Sequence, residues 1–243
     1  MWKFLLRLPI IATLVTFVCV VIMFALGNWQ LQRAEQKTDR LLAIEVAVKT
    51  AQVDLRQILR NNLEEMRDMP VNFEGTADVG RFFLLDNKIH KGRVGYQVLV
   101  PIQTYSGTVI VNYGWVAATN SRDILPIVKI DTGKTRFAGV ISLPSDNTMI
   151  QETALVDGDW PKVLQQTDLE VIQQHYNQAV LPFVVLLNAQ QNSNFERDWQ
   201  PVVMAPEKHL AYAVQWFLLA FAALAIFIIA QRNKLKRKKS EYH

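Results

Sequence analysis

The stretch that decides the fold is Leu8–Leu26, LPIIATLVTFVCVVIMFAL, 19 residues without a charge, twelve of them Leu, Ile, Val or Phe. A helix rises about 1.5 Å per residue, so roughly 20 residues cross the hydrocarbon core of a bilayer. Inserting those twelve side chains gains about 4 to 7 kcal/mol. The pattern returns once, at Ala211–Ala230, AYAVQWFLLAFAALAIFIIA, 20 residues and again no charge. Pro9 falls in the first turn of the first run, where its missing N–H costs least.

Working outward, charge sets an orientation. Lys3 and Arg7 precede the first run, and Arg232, Lys234, Lys236, Arg237, Lys238 and Lys239 follow the second. With Glu241 these outer ends carry +7, whereas residues 28–210 carry −3, giving the net +4 of the chain. Lys and Arg gather on the cytoplasmic side of membrane proteins, so both termini are expected inside. The expected division is a cytoplasmic N-terminus at 1–7, a transmembrane helix at 8–27, an extracytoplasmic domain at 28–210, a second transmembrane helix at 211–230 and a basic cytoplasmic tail at 231–243. Positive-inside accounts for the basic tail without a nucleic-acid partner; the expected partner surface is lipid. Ala25-Leu26-Gly27 resembles a small-x-small cleavage site, but the first run exceeds the usual signal-peptide core, and an uncleaved anchor is expected. The only cysteine, Cys19, lies inside that span, so the outer domain holds together by its core and not by disulfides.

Between the spans, Leu31, Ala34, Leu41, Leu42, Ile44, Ala47 and Val48 continue a helix to about Lys49. Asp54 is placed to cap a short helix running through Arg60 and Asn62. From about Met66 the period becomes two. Val71/Phe73, Phe83/Leu85, Tyr96/Val98/Val100/Ile102 and Val109/Val111/Tyr113/Trp115 read as half-buried strands, the last two joined in a hairpin by Tyr105-Ser106-Gly107. Thr135–Leu143 and Phe183–Leu187 add strands. Asp168–Tyr176 reads as a helix with Leu169 and Ile172 inward, and Gln190–Asn194 as a loop. The fold class is therefore α+β: two transmembrane helices flanking a mostly antiparallel β-sheet or small-barrel domain with a few helices.

No phosphate-cradling glycine loop, Cys/His metal spacing or nucleophile elbow occurs, so catalysis by this chain is not expected. The short tail leaves no room for a cytoplasmic output domain, and two spans alone do not make a transport path. What stands out is a juxtaposition. The first span exits at Gly27-Asn28-Trp29-Gln30-Leu31-Gln32-Arg33, and the second enters through Glu207-Lys208-His209-Leu210-Ala211-Tyr212-Ala213-Val214-Gln215-Trp216-Phe217. Helical spacing puts His209, Tyr212, Ala213 and Trp216 on one face and Gln30, Arg33 and Lys37 on another. Ala213 and Ala220 allow a neighbouring helix close approach. Two readings stay open. Trp29, Tyr212 and Trp216 form an aromatic belt with Arg33 snorkelling; or His209 is an axial ligand to haem iron, Arg33 pairs a propionate, and the aromatics are walls. His90 in a polar turn, His175 on a surface helix and His243 in the tail lack a partner at ligand spacing.

These residues resemble the Surfeit-one family of cytochrome c oxidase assembly proteins. The resemblance rests on Gly27–Arg33, on Gly95-Tyr96-Gln97-Val98-Leu99-Val100-Pro101 with Val109–Val116, on Trp160-Pro161 with Asp168-Leu169, and on His209–Phe217, four motifs in order between two spans. Where the family usually has Arg before its Gly-Trp pair, this chain has Tyr113. Gly114 is expected at a bulge or close contact, and Trp115 in the core. The resemblance implies a non-enzymatic biogenesis factor of the bacterial inner membrane, its main domain periplasmic, helping deliver haem a to the large subunit of a haem–copper oxidase, with haem-synthesis enzymes as further partners. A mitochondrial import leader, rich in Arg and Ser, is not seen. The alternatives are a haem-free structural chaperone of the oxidase subunit, or an anchored periplasmic module for another small ligand.

Overall fold

The computed structural model describes residues 10–49, 53–58, 60, 62–121, 123–144, 150, 152, 158–189, 194–200 and 204–240. They fall into two compact units, Ile44–Pro201 and the pair of segments Met1–Ala43 and Val202–His243.

The second unit is built on two helices, α1 (Ile10–Lys49) here and a partner, the last helix of the chain, at Pro206–Ser240. Both are long and apolar enough to cross a membrane. Their contact is made by small residues. Ala34 is buried on α1, Ala213 and Ala220 are fully buried on the partner, and a Cβ added to Gly27 would stand 2.5 Å from the Phe217 ring. Small side chains let helix backbones approach closely enough for dispersion to hold them. Phe24 completes the seam against Phe217 and Phe221, with ring centroids 5.5 and 5.8 Å away. The remaining faces bare large apolar side chains: Ile10, Phe17 and Ile226 are 83%, 65% and 67% exposed.

The other unit is a sheet closed on itself. Its elements are β1 (Val53–Asp54), α2 (Leu55–Ile58), a 3₁₀ turn (Leu63–Met66), β2 (Pro70–Ala77), β3 (Phe83–His90), β4 (Arg93–Thr104), β5 (Gly107–Ala117), β6 (Lys134–Ser142), β7 (Lys162–Leu164), α3 (Leu169–Tyr176) and β8 (Val180–Leu187); the last helix is α4 (Pro206–Ser240). Strands β2, β6, β8, β5 and β4 pair in that order, and β4 returns to β2 through Thr76↔Gln103 and Ala77↔Ile102, closing a five-stranded ring. Four of its seams are antiparallel and one, β5–β8, is parallel. Closure matters physically because it leaves fewer unpaired edges. Of the rest, β1 joins β2 in parallel, β3 runs antiparallel along β4, and β7 runs parallel to β3.

Strand alternation fills the interior. Val98, Val100, Ile102, Val109, Val111, Phe137, Ile141, Phe183 and Val185 share one buried cluster with Leu55 and Ile58 of α2. A second cluster lies on the outer face of β3, β4 and β5. There Phe83, Leu85, Leu99 and Ile110 take Ile172 and Tyr176 of α3. Each fully buried Phe or Ile in these clusters contributes roughly 1.5–3 kcal/mol through burial alone. Helix α3 starts where Asp168 caps it, its carboxylate accepting from the amides of Glu170 (2.9 Å) and Val171 (3.2 Å), and stops at Asn177 in the left-handed region.

The expected strands and hairpin are present, the hairpin closing at Thr104↔Gly107. Antiparallel seams outnumber parallel ones, the parallel seams being those of β1 with β2, β7 with β3 and β8 with β5. One expectation needs correction. Asp54 does accept from the Arg56 amide at 2.8 Å, but the helix it starts is the four-residue α2, ending at Ile58. Helix α3 lies at the surface as expected, with Glu170, Gln173 and Gln174 exposed, and His175 on it is partly buried: its ring packs edge-on to Phe83, 6.5 Å between centroids, its Nδ1 has no partner among the described residues, and burial pushes its pKa down. Of the expected Gln190–Asn194 loop, residues 190–193 lie outside the described residues.

Candidate functional site

Gln30 of α1 and His209 of α4 meet inside the helix pair. His209 is 9% exposed, and its Nδ1 stands 2.7 Å from Gln30 Oε1. A carbonyl oxygen only accepts, so Nδ1 is the donor of this bond, and in the neutral imidazole the lone pair is then on Nε2. Fixing the tautomer through the other ring nitrogen is what proteins do to imidazoles that bind metal. Helix geometry explains the encounter. Gln30 lies between Gly27 and Ala34 on the seam of α1, and His209 lies one turn before Ala213 on the seam of α4.

The other candidates lie elsewhere. Arg33 is exposed. Its Nη1 donates to Gln36 Oε1 at 3.0 Å, and its guanidinium lies 5.6 Å from the centroid of the Trp29 ring, one turn back. Trp29 and Tyr212 are 46% and 45% exposed, and Trp216 is partly buried. Among the described residues no hydrogen bond, ion pair or ring contact joins Arg33 or Trp29 to His209. Nor does any join Tyr212 or Trp216 to another side chain. The structure therefore brings together Gln30 with His209, and Arg33 with Trp29. Gln30 is the site residue whose role sequence reasoning passed over. Its signal was its place on the seam, three residues after Gly27.

The hairpin motif serves the barrel. A register shift separates Val98/Leu99 on β4, and Gly114 takes φ +125°. A Cβ there would meet Glu196 O at 2.8 Å and Arg197 Cγ at 2.9 Å, because the segment around Glu196 crosses it. Trp115 and Glu196 exchange both backbone hydrogen bonds, at 2.7 and 2.9 Å. Tyr113 is buried against Phe137 and Phe195, and desolvation raises its pKa to about 12. A cation does reach this place from later in the chain: Arg197 Nε donates to the Tyr113 carbonyl at 2.6 Å and Nη1 to that of Asn188 at 2.9 Å.

Taken together, the two units define a protein in which a small closed barrel is inserted in sequence between two long apolar helices. The sequence matches the SURF1 family over residues 17–221, and the chain belongs to that family, which is linked to cytochrome c oxidase assembly. It is similar to the SURF1-like protein of Rickettsia felis, 22% identical over 227 residues covering 90% of this chain and 96% of the relative. The SURF1-like protein of Rickettsia prowazekii is 23% identical over 220 residues (88% and 86%) and that of Monosiga brevicollis 22% over 232 residues (88% and 85%).

Proposed function

We propose that this chain is an assembly factor for a haem–copper terminal oxidase that receives haem a as cargo at the outer face of the bacterial inner membrane and passes it to the large oxidase subunit, without catalysis of its own. The apolar runs at 8–27 and 211–230 span the bilayer, both termini are cytoplasmic, and residues 28–210 are periplasmic. The bare Ile, Leu and Phe side chains of both helices support the anchoring, since a surface of that kind is solvated by hydrocarbon and not by water. The basic residues at both outer ends support the orientation.

The observation that carries the cargo reading is the His209–Gln30 hydrogen bond. In the neutral ring it leaves an Nε2 lone pair on a nearly buried imidazole, which a residue holding haem iron would need. His209 therefore fits the iron. Arg33 fits a propionate only by exchanging its bond to Gln36, and Trp29, Tyr212 and Trp216 would supply walls. The bound haem would supply its redox and ligand-binding chemistry to the oxidase; the chain would hold and orient it. The partners are the large oxidase subunit, the enzymes that make haem a, and lipid.

The test is the visible spectrum of protein purified from a haem-a-producing host, wild type beside His209→Ala. A haem band that weakens in the variant supports the carrier. A colourless wild type that still co-purifies with the large subunit assigns the second reading, a haem-free chaperone. That reading is favoured by the separation of Arg33 and Trp29 from His209.

A further inference from the structure

Among the described residues, helix α3 covers the outer face of the β3–β4–β5 layer at one end. At the other end lies a cavity of about 240 Å³ whose lining includes Lys88, Gln97, Trp115, Glu196 and Trp199. All lie within the barrel unit, and none belongs to the helix-pair site.

Lys88 reaches this face through a one-residue bulge. Leu85 pairs with Gln97 and Lys88 with Gly95, so three steps on β3 match two on β4. In a regular strand three steps would turn Lys88 to the face opposite Leu85. The extra residue, with Asn87 at φ +57° and its amide bonded to Asp86 Oδ1 at 2.7 Å, restores it to the outer face. Lys88 is then half-buried, and desolvation pushes its pKa down. Among the described residues no carboxylate or carbonyl is bonded to its ammonium. The nearby Glu196 is engaged elsewhere, by Lys91 at 3.3 Å, His90 at 3.2 Å and Arg93 at 3.9 Å. Asp198 is an exposed member of the same lining.

The apolar walls are fixed. The Trp115 indole lies over Gly95, where a Cβ would be 2.6 Å from the ring, and its Nε1–H donates to the Lys88 carbonyl at 2.8 Å. Trp199 Nε1–H donates to the Leu187 carbonyl at 2.6 Å. A desolvated, unpaired ammonium beside two held indoles is the arrangement that receives an anion with an apolar body. The volume lies below the roughly 300–1,000 Å³ of drug-sized pockets, so the occupant is small.

We propose that this cavity binds the carboxylate of a small aromatic acid, the anionic group on Lys88 and the ring against Trp115 and Trp199. The carboxylate belongs to a free acid or to the C-terminus of a chain ending in an aromatic residue. Full-length protein in detergent micelles is titrated with benzoate, with benzamide as its neutral counterpart, and with a tripeptide ending in Phe as free acid or amide, followed by tryptophan fluorescence. Saturable binding of an acid is expected, at least tenfold weaker for benzamide or the peptide amide. It should be at least tenfold weaker in Lys88→Met and retained in Lys88→Arg. Tighter binding of benzoate assigns a free acid; tighter binding of the peptide acid assigns a chain terminus. Absence of binding, or equal binding by Lys88→Met or by the neutral compounds, overturns the proposal. The haem spectrum of His209 variants is independent of this outcome.

Discussion

At the scale of single residues, one hydrogen bond organises the helix-pair site. Replacing Gln30 by Leu removes the acceptor of the His209 Nδ1–H and leaves a buried donor unpaired. The expected cost is about 1–3 kcal/mol of stability. If His209 binds haem iron as proposed, haem affinity should also fall roughly 10–100-fold, read by haem titration of Gln30→Leu beside wild type. Unchanged affinity would remove Gln30 from the proposed site. Tyr113 gives a second measurement. Its folded pKa of about 12 lies above the ordinary tyrosine value of 10.0, chiefly through desolvation. The folded state therefore keeps a proton that the unfolded chain releases. Stability from this group is complete below pH 10 and lost as pH rises from about 10 to 12. Urea midpoints at pH 9 and 11 should fall more for wild type than for Tyr113→Phe.

At the scale of elements, the strands of period two were readable because burial on one face forces alternation. Val98, Val100 and Ile102 face inward, as their spacing requires. The parallel seams were not readable. β1 and β7 are two and three residues long, too short to carry a period, and their pairing comes from the tertiary fold. The inward face of α3 was legible, with Ile172 buried where its spacing put it, whereas the partial burial of His175 beside Phe83 depends on which strand the helix covers. In the helix pair, the His209 and Arg33 faces followed from helical spacing, whereas the choice of Gln30 over Arg33 as the partner of His209 depends on which face forms the seam. The segment over Gly114 yields the prediction at this scale. Gly114→Ala places a Cβ against Glu196 at a positive φ. It should cost about 2 kcal/mol or more, lowering the melting temperature by roughly 4–8 °C. Proteolysis between residues 188 and 200 should accelerate. An unaltered melt and digestion pattern would mean the segment does not bear on Gly114 in solution.

At the scale of the whole molecule, a self-sufficient barrel is joined in sequence to helices whose outer surfaces suit hydrocarbon. Cutting both helices from the gene at residues 44 and 201 should leave a water-soluble barrel with strand-rich circular dichroism, because its two clusters draw their buried residues from 55 to 187. The full chain should stay in the membrane pellet through carbonate at pH 11, whereas its release into the supernatant would remove the spanning assignment.

The crossing of β5 by the segment around Glu196 has a mechanical consequence. Ten residues after Glu196 the chain enters α4, so any pull on that helix travels back along the backbone to this point. There it meets the paired amides of Trp115 and Glu196, the Arg197 fork on Tyr113 and Asn188, and the Trp199 indole on Leu187. The load is shared between β5 and the end of β8 before it reaches the barrel interior. Tension entering this segment is met by these hydrogen bonds before it reaches the register of the strands behind it.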